Sequence, residues 1–212
     1  MINVDIAFDD RDADLGDFFR RCKENLLELL RDNGGSFNAQ EINSPLCNVV
    51  YLAAQMPLIN ANNFFFIAYS HGEIEYLLAN DSAYVDSRDA STNIHLFANA
   101  FFYCVACLAG SKLGSKLVNG GAHVFIGYRD SFNVLLSQID VSIELANFAI
   151  RMFLTGETVQ EAFRLSLSRH EYRIDQLYRN GAVLSAGILV ENRTSLVLIG
   201  RGDMTLVDFV LA

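Results

Sequence analysis

Two apolar runs do most to limit how this chain can fold. One is Phe64-Phe65-Phe66-Ile67-Ala68-Tyr69, followed by Ser70-His71-Gly72. The other is Phe101-Phe102-Tyr103-Cys104-Val105-Ala106, followed by Cys107-Leu108-Ala109-Gly110. Each run is too short for a good helix. Neither alternates with polar residues, so both read as strands buried on two faces, the condition of a parallel sheet. Each also stops at a reactive side chain with a glycine close behind. In open parallel sheets the carboxyl ends of strands border the crevice where ligands bind. A histidine at one such end and a cysteine at another can form a general base and a nucleophile. The sulfur needs that partner, because the thiolate is the attacking species and an ordinary thiol is mostly protonated near neutrality.

The remaining pattern supplies helices between strands. Ile2, Val4 and Ile6 predict a first strand, and Leu15, Phe18, Phe19, Cys22, Leu26, Leu29 and Leu30 recur at helical spacing up to a stop at Asn33-Gly34-Gly35. A second strand is expected near Ser36–Ile42 and a helix from Ser44-Pro45 to before Pro57. Glu73–Leu78 and Ala83–Val85 predict a hairpin, and Ile94–Ala98 a short helix. The polar stretch Asp86–Asn93 reads as a mobile loop beside the catalytic edge, a place for nicking and control. Lys112–Asn119 predicts a helix, His123–Gly127 a strand, and Ser131–Leu154 and Thr158–Tyr178 two long helices. Val183–Val190 and Ser195–Ile199 read as a terminal hairpin or last strands. The expected fold is α/β, a three-layer sandwich around a mostly parallel sheet of about six strands, with residues 1–212 as one domain.

Composition narrows the function classes. With 51% hydrophobic and 19% charged residues the chain is globular, not disordered. No apolar run approaches the roughly 18–20 residues of a membrane span. A formal net charge of −9 disfavours nucleic acid and anionic membrane as partners. Met1-Ile2-Asn3-Val4-Asp5 lacks a basic region followed by an apolar one, so a cytoplasmic location is expected. The four cysteines, Cys22, Cys47, Cys104 and Cys107, are numerous enough for disulfides, but a long apolar chain without a secretion signal favours reduced thiols.

Each candidate group has a plainer reading. His71 can be a structural histidine, and Cys107 a small buried hydrophobe. Their matched positions before glycines favour catalysis. His71 then relays the thiol proton and protonates the leaving amine, while the backbone N–H groups of Gly72 and Cys107 hold the oxyanion. A helix beginning near Ser111 would favour negative charge on Cys107. Cys104 lies inside the run and should face the opposite side of the sheet. Zinc or dithiol chemistry lacks further ligands at suitable spacing, and no metal or cofactor is expected. His95 and His123 read as structural and His170 as exposed. Asp9-Asp10-Arg11-Asp12-Ala13-Asp14 begins like a calcium loop, but Leu15 stands where glycine belongs and Arg21 where glutamate belongs, so these acids read as the start of a helix.

Ser70-His71-Gly72 and Val105-Ala106-Cys107-Leu108-Ala109-Gly110, in this order and at two strand ends, resemble the caspase-like cysteine peptidases. The Cys-x-x-Gly ending is closer to the bacterial CHAT branch and the metacaspases than to animal caspases, whose glycine comes one residue sooner. The interval from His71 to Cys107 is shorter than the roughly 50 residues typical of caspases. Phe148 to Ala162 also resembles the segment of CHAT proteins in which a helix, a glycine and a Val-x-x-Ala helix follow strand five. The resemblance covers residues 1 to about 170. It implies a caspase-like fold and a cofactor-free endopeptidase acting on a protein or peptide, with a His71–Cys107 dyad. It also implies an activating or regulatory protein partner and a role as a defence or cell-death effector. By the same analogy Tyr128, Arg129 and Asp130 border the substrate groove. Arg129 would favour an acidic residue before the scissile bond and Asp130 a basic one. Metacaspases usually carry an acidic residue where Val105 stands, which weakens transfer of their preference for basic residues. The alternative from a different class is a catalytically silent module that keeps the fold to recruit a partner.

Overall fold

A computed structural model describes residues 1–34, 37–59 and 61–210. Its central sheet has six strands in the order β2-β1-β3-β7-β8-β9. The strands are β1 (Ile2–Phe8), β2 (Phe37–Asn43), β3 (Phe64–Tyr69), β7 (Ala100–Val105), β8 (Val124–Tyr128) and β9 (Leu196–Gly200). All neighbours run parallel except β9, which is antiparallel to β8. The two apolar runs are the two middle strands, and every residue of both is buried. Their unbroken hydrophobicity has this cause: both faces are covered.

Alternation sorts the side chains of these strands into two cores. Phe65, Ile67 and Tyr69 of β3 join Phe101, Tyr103 and Val105 of β7 on one face. Phe64, Phe66 and Ala68 join Ala100, Phe102 and Cys104 on the other. Helices α1 (Gly16–Asp32) and α4 (Ile139–Leu154) cover the first face, through Phe18, Phe19, Cys22, Leu26 and Leu30 of α1 and Ala146, Ile150 and Phe153 of α4. Helices α2 (Val49–Gln55) and α3 (Leu113–Asn119) cover the second, through Leu52, Leu113 and Leu117. The result is the expected three-layer α/β sandwich. Further helices α5 (Val159–Arg179) and α6 (Val183–Ser195) pack beside α4 around Leu145, Leu177, Ala186 and Leu189.

The path from β1 through α1 to β2 runs towards one edge of the sheet. The path from β3 to β7 and β8 runs towards the other. The winding direction therefore reverses between β1 and β3, and a crevice opens where the loops after these strands part. Between β3 and β7 the chain inserts a small antiparallel sheet of β4 (His71–Gly72), β5 (Tyr76–Ala79) and β6 (Ser82–Asp86). Its tip, Asn80-Asp81, has φ of 48° and 57°. Positive φ at both central residues is the two-residue turn that matches strand twist, and Asn and Asp tolerate it.

Several expectations need correction. Residues 183–190 belong to helix α6, and only Leu196–Gly200 is strand. Ala186, Leu189 and Asn192 are buried at helical spacing, a period that a short apolar run conceals. Residues 131–135 are not helical, and α4 starts at Ile139 after a 3-10 turn. Asp86–Asn93 is tied down at its base. Asn93 Oδ1 accepts the Asp86 N–H, its amide donates to the Tyr84 carbonyl, and Arg88 forks onto the Asp86 carboxylate. His170 is fully buried, with Nδ1 bonded to the Ser166 carbonyl. Gly35 and Ser36, in the expected helix stop and second strand, lie outside the described residues.

Candidate active site

His71 is placed by the strands beneath it. The Ser70 N–H donates to the Val105 carbonyl and continues the β3–β7 ladder by one step. The Ser70 hydroxyl meets the Tyr84 hydroxyl at 2.7 Å, and the Tyr69 hydroxyl donates to Asn147 at 2.6 Å. His71 itself emerges half-exposed, its ring meeting the Phe19 ring in a T-shaped contact at 5.7 Å. Its Nε2 lies 2.9 Å from Asp12 Oδ2. With Nε2–H donating to that carboxylate, Nδ1 is the nitrogen left to take a proton from a thiol.

Asp12 sits in the loop between β1 and α1. Its other oxygen accepts the Leu15 N–H at 2.6 Å and the Asp14 N–H at 3.0 Å. The carboxylate thus closes the turn that leads into α1, whose own N-cap is Leu15 without a side-chain cap, so the expected acidic helix cap is one turn early; it also holds the histidine, which the sequence did not reveal. Partial burial alone would raise its pKa. The Leu15 N–H, the His71 bond and the Asp14 N–H outweigh that and hold the carboxyl below its ordinary value. The one available signal was topological: an acid just past β1 lies beside a histidine just past β3, because these strands pair from Asn3–Phe64 to Phe8–Tyr69.

Cys107 follows β7 by two residues and is the one cysteine of the four that is not buried. The next residue, Leu108, has φ of 58°, a left-handed conformation that costs a non-glycine residue about 1 kcal/mol or more. Three backbone bonds stabilise this turn: Leu108 N–H to the Asp130 carbonyl, Ala109 N–H to the Cys107 carbonyl, and Gly110 N–H to the Tyr128 carbonyl. Gly110 is required here, since a Cβ would lie 2.6 Å from Val197 Cγ2 and 3.0 Å from the Arg129 nitrogen. The helix that should have favoured negative charge on the sulfur begins only at Leu113. The N–H that reaches Cys107 Sγ, at 3.3 Å, belongs instead to Phe132 in the loop after β8. Phe132 is fixed in turn by ring contacts with Phe18 and Tyr128.

The structure therefore brings His71, Gly72 and Cys107 to adjacent strand ends. A Cβ on Gly72 would lie 2.5 Å from the Cys107 carbonyl oxygen. Among the described residues no hydrogen bond joins His71 to Cys107. The thiol also lies 3.7 Å from the Phe132 carbonyl oxygen. Cys104 belongs to the opposite core, where burial pushes its thiol far above its usual range.

The expected groove residues divide. Tyr128 is 1% exposed and its ring packs on Phe132, so it cannot border a groove. Its inward orientation follows from strand alternation within β8. Arg129 donates to the Thr194 carbonyl at the end of α6. Asp130 remains exposed and lines an open cleft of about 370 Å³ with Ser131, Asn133, Glu191 and Thr194.

Among the described residues no cluster of three or more His, Cys, Asp or Glu side chains could hold a metal ion, and no helix is long and apolar enough to cross a membrane. Asp9 and Asp10 converge on the Ser44 hydroxyl, at 2.6 and 2.7 Å. His123 stands at the amino end of β8, its Nε2 2.9 Å from Asn63 Oδ1, and burial lowers its pKa. No protein-family model matches this chain, and no curated protein matches it at a significant level.

Proposed function

We propose that this chain is a caspase-like cysteine endopeptidase in which Cys107 is the nucleophile, His71 the proton shuttle and Asp12 the residue that orients the histidine. The observation that carries this reading is the Asp12–His71 hydrogen bond at the switch point of the sheet, one strand away from the one cysteine of the four that is only partly buried. A base held by a third group beside a nucleophile is the general arrangement of nucleophilic catalysis. Asp12 fixes the tautomer and would stabilise the imidazolium formed when the thiol gives up its proton. The Phe132 N–H supports negative charge on sulfur, and the Gly72 and Cys107 N–H groups are the proposed oxyanion donors. Four free cysteines, three of them buried, fit a reducing compartment such as the cytoplasm. Of the two groove charges considered, Arg129 and Asp130 are both exposed and pair with each other at 3.7 Å, so neither charge by itself sets the residue selected before the scissile bond.

One observation favours the silent-module reading: the thiol rests on Phe132 and not on His71. Cleavage profiling of a peptide library separates the two. Wild-type protein should cleave a subset of peptides, and an irreversible thiol reagent should label Cys107 in preference to the other three cysteines. Cys107→Ala and His71→Ala should each abolish cleavage while leaving the circular dichroism spectrum unchanged. A folded Cys107→Ala variant that cleaves at the native rate would overturn the assignment.

A further inference from the structure

The Phe132 N–H can support a charged sulfur only while the loop after β8 keeps its shape. That loop is gripped from α6. The side-chain amide of Asn192 takes both backbone groups of Asn133: its Oδ1 accepts the Asn133 N–H at 2.8 Å, and its Nδ2 donates to the Asn133 carbonyl at 2.7 Å. Asn192 is 2% exposed, so water scarcely competes for either bond. A trans peptide unit is planar, and its C=O and N–H point opposite ways. The Asn133 N–H shares its plane with the Phe132 carbonyl, which lies 3.7 Å from Cys107 Sγ. Asn192 therefore holds one side of a peptide whose other side faces the thiol.

Neighbouring bonds extend this bridge. At the end of α6 the Ser195 carbonyl accepts the Arg129 N–H at 2.8 Å, and the Asp130 carbonyl accepts the N–H of Leu108, the residue after Cys107, at 3.1 Å. The loop is thus tied to α6 on one side and to the Cys107 turn on the other. When the S–H bond breaks and its proton passes to Nδ1 of His71, the electron pair stays on sulfur. The Phe132 N–H then becomes a charge-assisted donor, about twice as strong as a neutral one. The Phe132 carbonyl repels the same charge, but it is the more distant of the two groups. We infer that Asn192 is a positioning residue for the nucleophile: through Asn133 it fixes the Phe132 peptide groups so that the N–H meets the Cys107 sulfur as its charge develops. The inference rests on the peptidase reading and adds to it a residue of α6, outside the dyad.

The test follows iodoacetamide alkylation of Cys107, read by peptide mass spectrometry, at about pH 7 and at about pH 10, where an ordinary thiol is ionised. The ratio of the two rates reports the charged fraction of the thiol and not its access. Asn192→Leu keeps the branched shape and removes both amide bonds. It should lower the ratio about three- to ten-fold, the scale of one charge-assisted hydrogen bond weakened or lost. Single-turnover cleavage of the best library peptide should slow by a similar factor. Asn192→Ala leaves room for water at the freed Asn133 groups and should show the same two losses, which keeps the test open if the leucine variant does not fold. Phe209→Ala truncates the core beside Phe65 and Phe101, at the amino ends of the strands, and should leave the ratio of the folded protein unchanged. An unchanged ratio in the Asn192 variants, or an equal fall in Phe209→Ala, overturns the inference while the peptidase reading stands. Faster alkylation and cleavage in the Asn192 variants also overturns it, because the grip would then be a brake that holds the thiol from His71. A wild type that cleaves nothing, with the ratio still falling in the Asn192 variants, overturns the peptidase reading and leaves the positioning of the sulfur in place.

Discussion

A methyl group at Gly72 would meet the Cys107 carbonyl oxygen at 2.5 Å and the Ala106 Cβ at 2.9 Å. Neither neighbour is a flexible side-chain end, so Gly72→Ala must push the two strand ends apart. The expected cost is about 1–3 kcal/mol, as for other overpacked sites. Cleavage should fall further than stability, because the shift separates His71 from Cys107; urea titration and kcat/KM on one preparation measure both. Asp5 makes a second residue-scale prediction. It is 2% exposed in the middle of β1, and its Oδ2 lacks a hydrogen-bond partner among the described residues. Burial raises its pKa from 3.8 to about 7. The folded state thus keeps its proton at pH values where the unfolded chain has lost it. Stability from this group is intact below about pH 4 and declines as pH rises towards 7, by at most about 1.4 kcal/mol per unit. Asp5→Asn should therefore raise the urea midpoint more at pH 8 than at pH 5. An equal gain at both values would show that Asp5 stays ionised in the fold. At this scale the sequence marked His71, Gly72 and Cys107, because each follows an unbroken apolar run. It could not mark Asp12 as the partner of His71, since that contact spans residues far apart in the chain and depends on which strands are neighbours.

At the scale of elements, the polar Asp86–Asn93 segment shows why composition alone misjudges order. Several of its polar side chains are bonded: Asp86 accepts from Arg88 and Ser91, Ser87 from its N–H and hydroxyl donates to the Glu75 carbonyl, and Arg88 lies over the Tyr76 ring at 4.1 Å. Lys116 of α3 then joins this base to Glu75 at 3.0 Å. The expected outcome is that native protein resists trypsin at Arg88, whereas Asp86→Ala, which releases the guanidinium and the Ser91 hydroxyl together, is nicked there. Rapid nicking of the wild type would restore the mobile-loop reading. The misread α6 has a related cause. It is apolar on most sides, with Leu184 and Val183 exposed and Ala186 and Leu189 buried, so neither a helical nor a strand period stands out.

For the whole molecule, the last described residues close the core. β9 pairs with β8 from Tyr128–Leu196 to Val124–Gly200, and Phe209 then reaches Phe65, Phe101 and Phe153, with ring centroids at 5.0, 6.0 and 5.9 Å. Phe209 is 3% exposed. Phe209→Ala should cost about 3–4 kcal/mol through the cavity it leaves, detectable as a lowered urea midpoint with an unchanged slope. A loss below about 1 kcal/mol would mean that this end of the chain is dispensable to the core. The sequence by itself determined the layered α/β class and the two central strands, because burial on both faces demands uninterrupted apolar runs. It also determined that a histidine and a cysteine stand at strand ends. Tertiary structure alone decided strand order, and with it the meeting of Asp12 and His71 in the crevice where the winding reverses. It decided as well that the Cys107 sulfur rests on the Phe132 amide and that Tyr128 turns into the core. Periodicity reports which side of an element is buried; which element lies on that side is set by pairings between distant segments.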